Sequence, residues 1–165
     1  MPIMKDETWH RHANPISGLT RILTLPFVFI SIWFMQDFLN DPLGFWYPLA
    51  LLVGVGVWAW VNPRIFPKPK TYDNYLSRGV LGEKLWSEMP KRLDAPLILN
   101  LLSGFFALGA VYFAFIRGFW AMMFFGSTSF LLKMWFVDRV VILYDEYFKR
   151  VKATVTEVDV KEKIR

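Results

Sequence analysis

The placement of basic residues around four long apolar runs constrains this chain more than any other feature. Of the 19 Lys and Arg residues, only Arg117 falls between the third and fourth runs. All the others lie near the opposite ends of the runs or in the segments that join those ends. Lys and Arg are enriched on the cytosolic side of membrane proteins. The pattern therefore predicts a multi-pass protein of the cytoplasmic membrane with both termini in the cytosol.

Each apolar run has about the length that an α-helix needs to cross a bilayer, roughly 20 residues. Backbone groups in lipid must form their hydrogen bonds within the segment, so the runs are predicted to be helices rather than open strands. Short links, among them the acidic stretch 36–43 with Asp37 and Asp41, make two antiparallel hairpins. The predicted spans cover residues 19–35, 44–61, 95–116 and 119–137.

The fold class is therefore all-α: an integral membrane four-helix bundle with a cytosolic amphipathic segment between its second and third spans. One domain is predicted over residues 1–150, with a cytosolic basic tail over 151–165. Apolar residues recur every four positions within 73–89, which is typical of a surface helix. The fourth helix is expected to run on past Asp138, whereas residues 151–160 fit a short strand or a disordered tail equally well.

Proline and asparagine mark the expected helix ends. Asn14 followed by Pro15 is typical of a helix start, with Ser17 as a competing cap. Asn62 followed by Pro63 is expected to end the second span, because a residue before proline avoids the helical region.

Composition excludes several function classes. The net charge is +5, but the bases flank apolar runs and no nucleic-acid recognition motif is present, so a nucleic-acid partner is not expected. The absence of cysteine excludes disulfides, thiolate nucleophiles and iron–sulfur clusters. The only histidines, His10 and His12, are candidate metal ligands, but catalytic zinc needs three protein ligands. We therefore expect no metal and no cofactor.

A layer of polar residues near the cytosolic boundary is the main candidate site. Ionisable groups at this depth are costly unless they are paired, hydrated or able to reach the interface. One interpretation is that the long basic side chains extend to lipid phosphates. The other is an anion-binding or lipid-binding pocket walled by all four helices, in which Glu83 or Asp138 serves as acid or base. The cationic and amide candidates for that pocket are Arg21, Asn62, Arg64, Asn100, Lys133 and Arg139.

Small residues at mid-depth of the spans predict close helix packing rather than chemistry. The stretch 126–129 contains Ser127 and Ser129 but lacks the Gly-x-Ser-x-Gly pattern of a nucleophile turn. Gly54 and Gly56 in the second span are interpreted in the same way, as are Ser103, Gly104 and Gly109 in the third.

Four motifs stand out as a set. They are His12-Ala13-Asn14-Pro15 with Ser17 and Thr20-Arg21, Asn62-Pro63-Arg64 with Phe66-Pro67, Gly79-Val80-Leu81-Gly82-Glu83, and Lys133-x-Trp135-Phe136-x-Asp138-Arg139 with Tyr144. Taken together they resemble a prokaryotic family of small four-helix membrane proteins with a domain of unknown function. The resemblance covers roughly residues 9–145 and leaves the tail after Lys149 outside. It implies four membrane helices and no established activity.

Two functions compete on this basis. We favour a small structural or accessory subunit that forms a homo-oligomer or joins a larger membrane complex, because no catalytic set is recognisable. The alternative is a membrane-embedded enzyme or carrier for an anionic lipid-like substrate, with Arg21, Arg64 and Arg139 as the anion clamp. An oligomeric channel is a third interpretation, although no ring-forming series of acids or arginines is evident. Membrane lipids are expected partners in every case.

Overall fold

The computed structural model describes residues 5–35, 44, 46–90 and 92–163, with backbone alone after residue 154, and within these ranges it contains helices and no strand. The all-α prediction is confirmed. Four of the helices are long and apolar enough to cross a membrane, which indicates a membrane protein. The helices are α1 (Asp6–His12), α2 (Pro15–Met35), α3 (Trp46–Ile65), α4 (Tyr75–Glu88), α5 (Ala95–Phe115) and α6 (Phe119–Lys163).

Side-chain caps fix three of the helix starts. The Asn14 side-chain oxygen accepts from the Ile16 backbone N–H at 2.9 Å, and α2 begins at Pro15, as predicted from the Asn14-Pro15 pair. The apolar span predicted from residue 19 is thus preceded by one further turn of helix. Asn74 and Asp94 accept in the same way at the starts of α4 and α5. Each cap satisfies one of the N–H groups that a helix leaves unbonded at its first turn.

The predicted end of the second span was wrong by one turn, because α3 continues through Pro63 to Ile65. Proline removes one backbone donor, and that loss is small when less than one turn of helix follows. Asn62 stays helical because its side chain is bonded to α2, as described below.

The helices form two antiparallel hairpins that meet through α2. In the second hairpin, the Ser103 and Ser129 hydroxyls each donate to the other residue's backbone carbonyl, at 3.1 and 2.9 Å. Gly109 lets the Phe125 ring approach the α5 backbone. In the first hairpin α3 packs against α2 and α1, so it lies at one edge of the array. The predicted link over residues 36–43 lies outside the described residues.

The close packing predicted for small residues is present at some of these positions and not at others. Ser103 and Gly109 do make close contacts between α5 and α6. For Gly54, Gly56 and Gly104 the prediction was wrong within this chain, because a Cβ added at any of them would meet no atom within 4 Å.

Helix α4 packs antiparallel to residues 136–145 of α6. The contact is close because two glycines face α6: a Cβ at Gly82 would overlap the Val140 carbonyl, and one at Gly79 would overlap a Val137 methyl. The two glycines weaken a helix prediction from sequence, yet they are what permits this contact. An ion pair between Arg78 and Asp145 at 2.9 Å also joins the two helices, near the start of α4.

Helix α6 is a single element of 45 residues. Residues 151–160, for which the sequence left a strand or a disordered tail open, belong to this helix. Valines alternate loosely over this stretch, which would suit a strand, but the helix that begins at Phe119 continues through it without a break.

Candidate functional site

Polar side chains gather where α2 begins, α3 ends and α5 begins, and α4 lies beside them. Hydrogen bonds and ion pairs among these side chains join α1, α2 and α3 in one group and α4, α5 and α6 in another. We call this set the polar layer and define it by eight residues. They are His12, Ser17, Thr20, Arg21, Asn62, Glu83, Asn100 and Lys133.

Asn62 joins α3 to α2. Its amide oxygen accepts from the Ser17 hydroxyl at 2.5 Å, and its amide nitrogen donates to the Thr20 hydroxyl at 2.8 Å. Asn62 and Ser17 are both fully buried. A buried amide stabilises a structure only when its donors and acceptors are bonded. Here both ends are, so the pair fixes the register of α2 against α3.

Arg21 joins α2 to α1. Its guanidinium donates to His12 Nε2 at 2.5 Å and to the Ser17 backbone carbonyl at 3.1 Å. The His12 ring also packs edge-to-face on Trp9, which is 5% exposed. Burial, reinforced by the Arg21 charge, lowers the pKa of His12 to about 4. His12 is therefore a neutral acceptor for Arg21 at neutral pH.

Lys133 joins α6 to α5 and α4. Its ammonium donates to the Asn100 side-chain oxygen at 3.0 Å, lies 3.7 Å from a Glu83 carboxylate oxygen and sits over the Phe136 ring. Glu83 is thus the member of the layer that ties α4 to α6.

Three of the predicted site residues do not join the polar layer. The Arg64 guanidinium packs over the Trp60 ring at 4.4 Å and donates to the Trp60 carbonyl, at the exposed end of α3. Arg139 pairs with its neighbour Asp138 at 3.6 Å, on a half-exposed face of α6. The structure therefore brings together Arg21, Asn62, Glu83, Asn100 and Lys133 from the predicted set, and leaves Arg64, Asp138 and Arg139 apart.

The two histidines point to different partners. His10 Nδ1 is within 2.9 Å of the Tyr72 hydroxyl, whereas His12 is bonded to Arg21. Among the residues that the structure describes, no three His, Asp or Glu side chains come together as a metal site would require.

Sequence reasoning missed the contribution of α1 to this region. Trp9 of this helix is buried against the bundle, and its ring packs edge-to-face on His12. A signal was present: acidic Asp6 and Glu7 precede a run of His and Arg over one short segment, the charge order that the helix dipole favours.

Lys84 of α4 pairs with Asp6 at 2.8 Å, which lowers the pKa of that carboxyl and raises the pKa of Lys84.

Asn62→Ala should lower the free energy of unfolding by about 2 kcal/mol, because it leaves the Ser17 hydroxyl buried without its acceptor. Thermal unfolding in detergent checks this. In the double variant Asn62→Ala/Ser17→Ala the free energy of unfolding should be only slightly lower than in Asn62→Ala alone, since the two residues share one interaction. Full additivity of the two single losses would show that the bond contributes nothing.

Comparison with known proteins gives one match. A family model described as "Family of unknown function (DUF6653)" matches residues 3–161. This range extends past the 9–145 expected from the motifs and includes most of the segment after Lys149. No curated protein and no solved structure matches the chain.

Proposed function

The chain belongs to the DUF6653 family, whose function is unknown, and from its geometry we propose that it is a small packing subunit of a membrane assembly rather than an enzyme. It would cross the cytoplasmic membrane of a prokaryotic cell four times. The bases near the start of α2, the end of α3 and the start of α5 favour an orientation with these ends and both termini in the cytosol.

The pairing of both cations of the polar layer with groups of the same chain supports a structural role. Arg21 is bonded to His12 and Ser17, and Lys133 to Asn100 and Glu83. A site that binds an anion needs cations whose donors are free to converge on it. The cations of this layer instead bond to groups of the same chain, so the layer ties helices together.

The observation that carries the proposal is the open face of α3. Ala50 and Gly54 form a small-x-x-x-small pair, the pattern with which membrane helices approach one another closely. They line an apolar groove of about 260 Å³ between α2 and α3, together with Thr24, Phe27, Leu51, Val55 and Trp58. A Cβ added at Gly54 would meet no atom within 4 Å. A helix of another subunit is the occupant that such a groove fits.

We expect Gly54→Leu to release this protein from its assembly. The leucine would fill the groove and prevent close approach of a partner helix, while its Cβ would enter open space. Native mass spectrometry of protein extracted from its own membranes measures the result, and a stoichiometric complex should be at least tenfold less abundant in the variant. Gly104→Leu, which adds the same bulk at an open position of α5, should keep the complex.

The same measurement separates the proposal from its alternative, an enzyme or carrier for an anionic lipid-like substrate. One observation favours that alternative: Lys133 and Glu83 lie together and are 43% and 37% exposed. A wild-type protein released as a monomer with one bound anionic lipid would refute the subunit role. Loss of that lipid in Lys133→Gln would then assign the substrate site to the polar layer.

A further inference from the structure

The apolar residues of α6 follow a heptad spacing that runs past the end of α4. From Val137 onward they are separated alternately by four and three positions, as the a and d residues of a coiled coil are. This spacing keeps them in one stripe along the helix. The stripe consists of Val137, Tyr144, Val151 and Val158 at d, and of Val141, Phe148 and Val155 at a.

Helix α4 covers the first part of this stripe. Gly79 lies against Val137 and Val141, and the Arg78–Asp145 ion pair joins the two helices farther along α6. Beyond it the stripe is open: Phe148 is 43% exposed and Val151 is 40% exposed. The open part is thus a direct continuation of a surface that already packs a helix.

The uncovered part of α6 is a poor helix on intrinsic grounds. Residues 151–160 contain four valines and two threonines, and β-branched residues lower helix propensity. Isolated helices of this length are marginal in water even with favourable sequences. A helix here therefore needs a packing partner along its apolar stripe.

We propose that this partner is a second copy of the chain, and that residues 148–158 of two copies form a parallel two-stranded coiled coil. Two copies inserted alike project α6 from the same face of the membrane in the same direction, which aligns the stripes in register. Anchoring in one membrane also raises the effective concentration enough for a short seam. The interaction goes beyond the proposed function, because it lies past the predicted fourth span, which ends at residue 137, and does not use α3.

The charges flanking the stripe agree with a parallel pair. In this register Tyr147 of one copy faces Lys152 of the other, and Thr154 faces Asp159. Neither pair places like charges together, which would oppose pairing. Lys149 and Arg150 fall at b and c positions, on the outside of the dimer.

Disulfide cross-linking of full-length protein in its own membranes tests the proposal, because the chain has no cysteine of its own. Val151→Cys at d should give a disulfide-linked homodimer at least fivefold faster than Ala153→Cys at f, two residues away. Equal rates at both positions, or no dimer at Val151→Cys, would overturn the proposal. A product containing a different chain would overturn it as well.

A charge placed in the seam gives a second, independent readout. Phe148→Asp in the Val151→Cys background should abolish the cross-link, whereas Arg150→Asp in the same background should keep it. Gly54→Leu should also keep it, because the α3 groove plays no part here. Cross-linking that survives Phe148→Asp would contradict the coiled coil while leaving the proposed subunit role untouched.

Discussion

Gly82→Ala is expected to lower the free energy of unfolding by about 3 kcal/mol and to release α4 from α6. The added Cβ would overlap the backbone carbonyl of Val140, which no side-chain rotation can move away. Overpacking of this kind typically costs about 1–3 kcal/mol, and contact with backbone places Gly82 at the upper end. Thermal unfolding in detergent measures the loss, and faster hydrogen exchange of α4 amides shows where it occurs.

Gly104→Ala is the matched control, because a Cβ there meets open space. Alanine is the better helix former, so this variant should be as stable as the wild type or slightly more so. Equal stability of the two alanine variants would mean that α4 does not pack on α6 through its glycines.

Acidification should destabilise the junction between α1 and α2 through His12. The pKa of this imidazole is about 4 in the folded protein, against an ordinary value of 6.5. Above pH 6.5 both states are neutral and stability is unaffected. As the pH is lowered from 6.5 to 4, His12 becomes protonated in the unfolded chain but stays neutral in the folded chain. The free energy of unfolding therefore decreases as the pH decreases, by about 3 kcal/mol in total for a shift of this size.

Two measurements check this expectation. The ring signals of His12 in an NMR titration should show its midpoint near pH 4, and His10→Gln identifies them because the chain has only two histidines. His12→Gln, whose side-chain oxygen still accepts from Arg21, should remove most of the decline in stability between pH 6.5 and 4. A His12 midpoint near 6.5, with an unchanged decline in the variant, would show that the ring is not buried against Arg21.

The four long helices could be predicted because hydrophobic length is a local property of sequence. The caps at Asn14 and the helix over residues 75–88 followed from local chemistry in the same way. What could not be predicted was contact between distant segments. Gly79 and Gly82 appear as helix breakers until Val137 and Val140 are placed against them. The continuation of α6 beyond Lys149 could not be predicted, because the valine spacing there is compatible both with a strand and with the apolar stripe of a helix.

The candidate site, too, could be predicted only in part. Position along the predicted spans was enough to group Arg21, Asn62, Asn100 and Lys133 at one end of the bundle. It could not show that hydroxyls and a histidine of the same chain satisfy the first two of them, since those bonds depend on helix rotation and register. Pairing within the chain, rather than an open pocket, is what three-dimensional packing adds.

The surface that receives α4 is made late in synthesis. Residues 137–141 of α6 leave the ribosome more than fifty positions after Gly82, when both hairpins have been translated. The face of α4 that carries Gly79 and Gly82 must therefore stay uncovered until the second hairpin has been translated, even though Lys84 can already pair with Asp6 of α1. Chains that terminate before α6 would leave this face of α4 exposed.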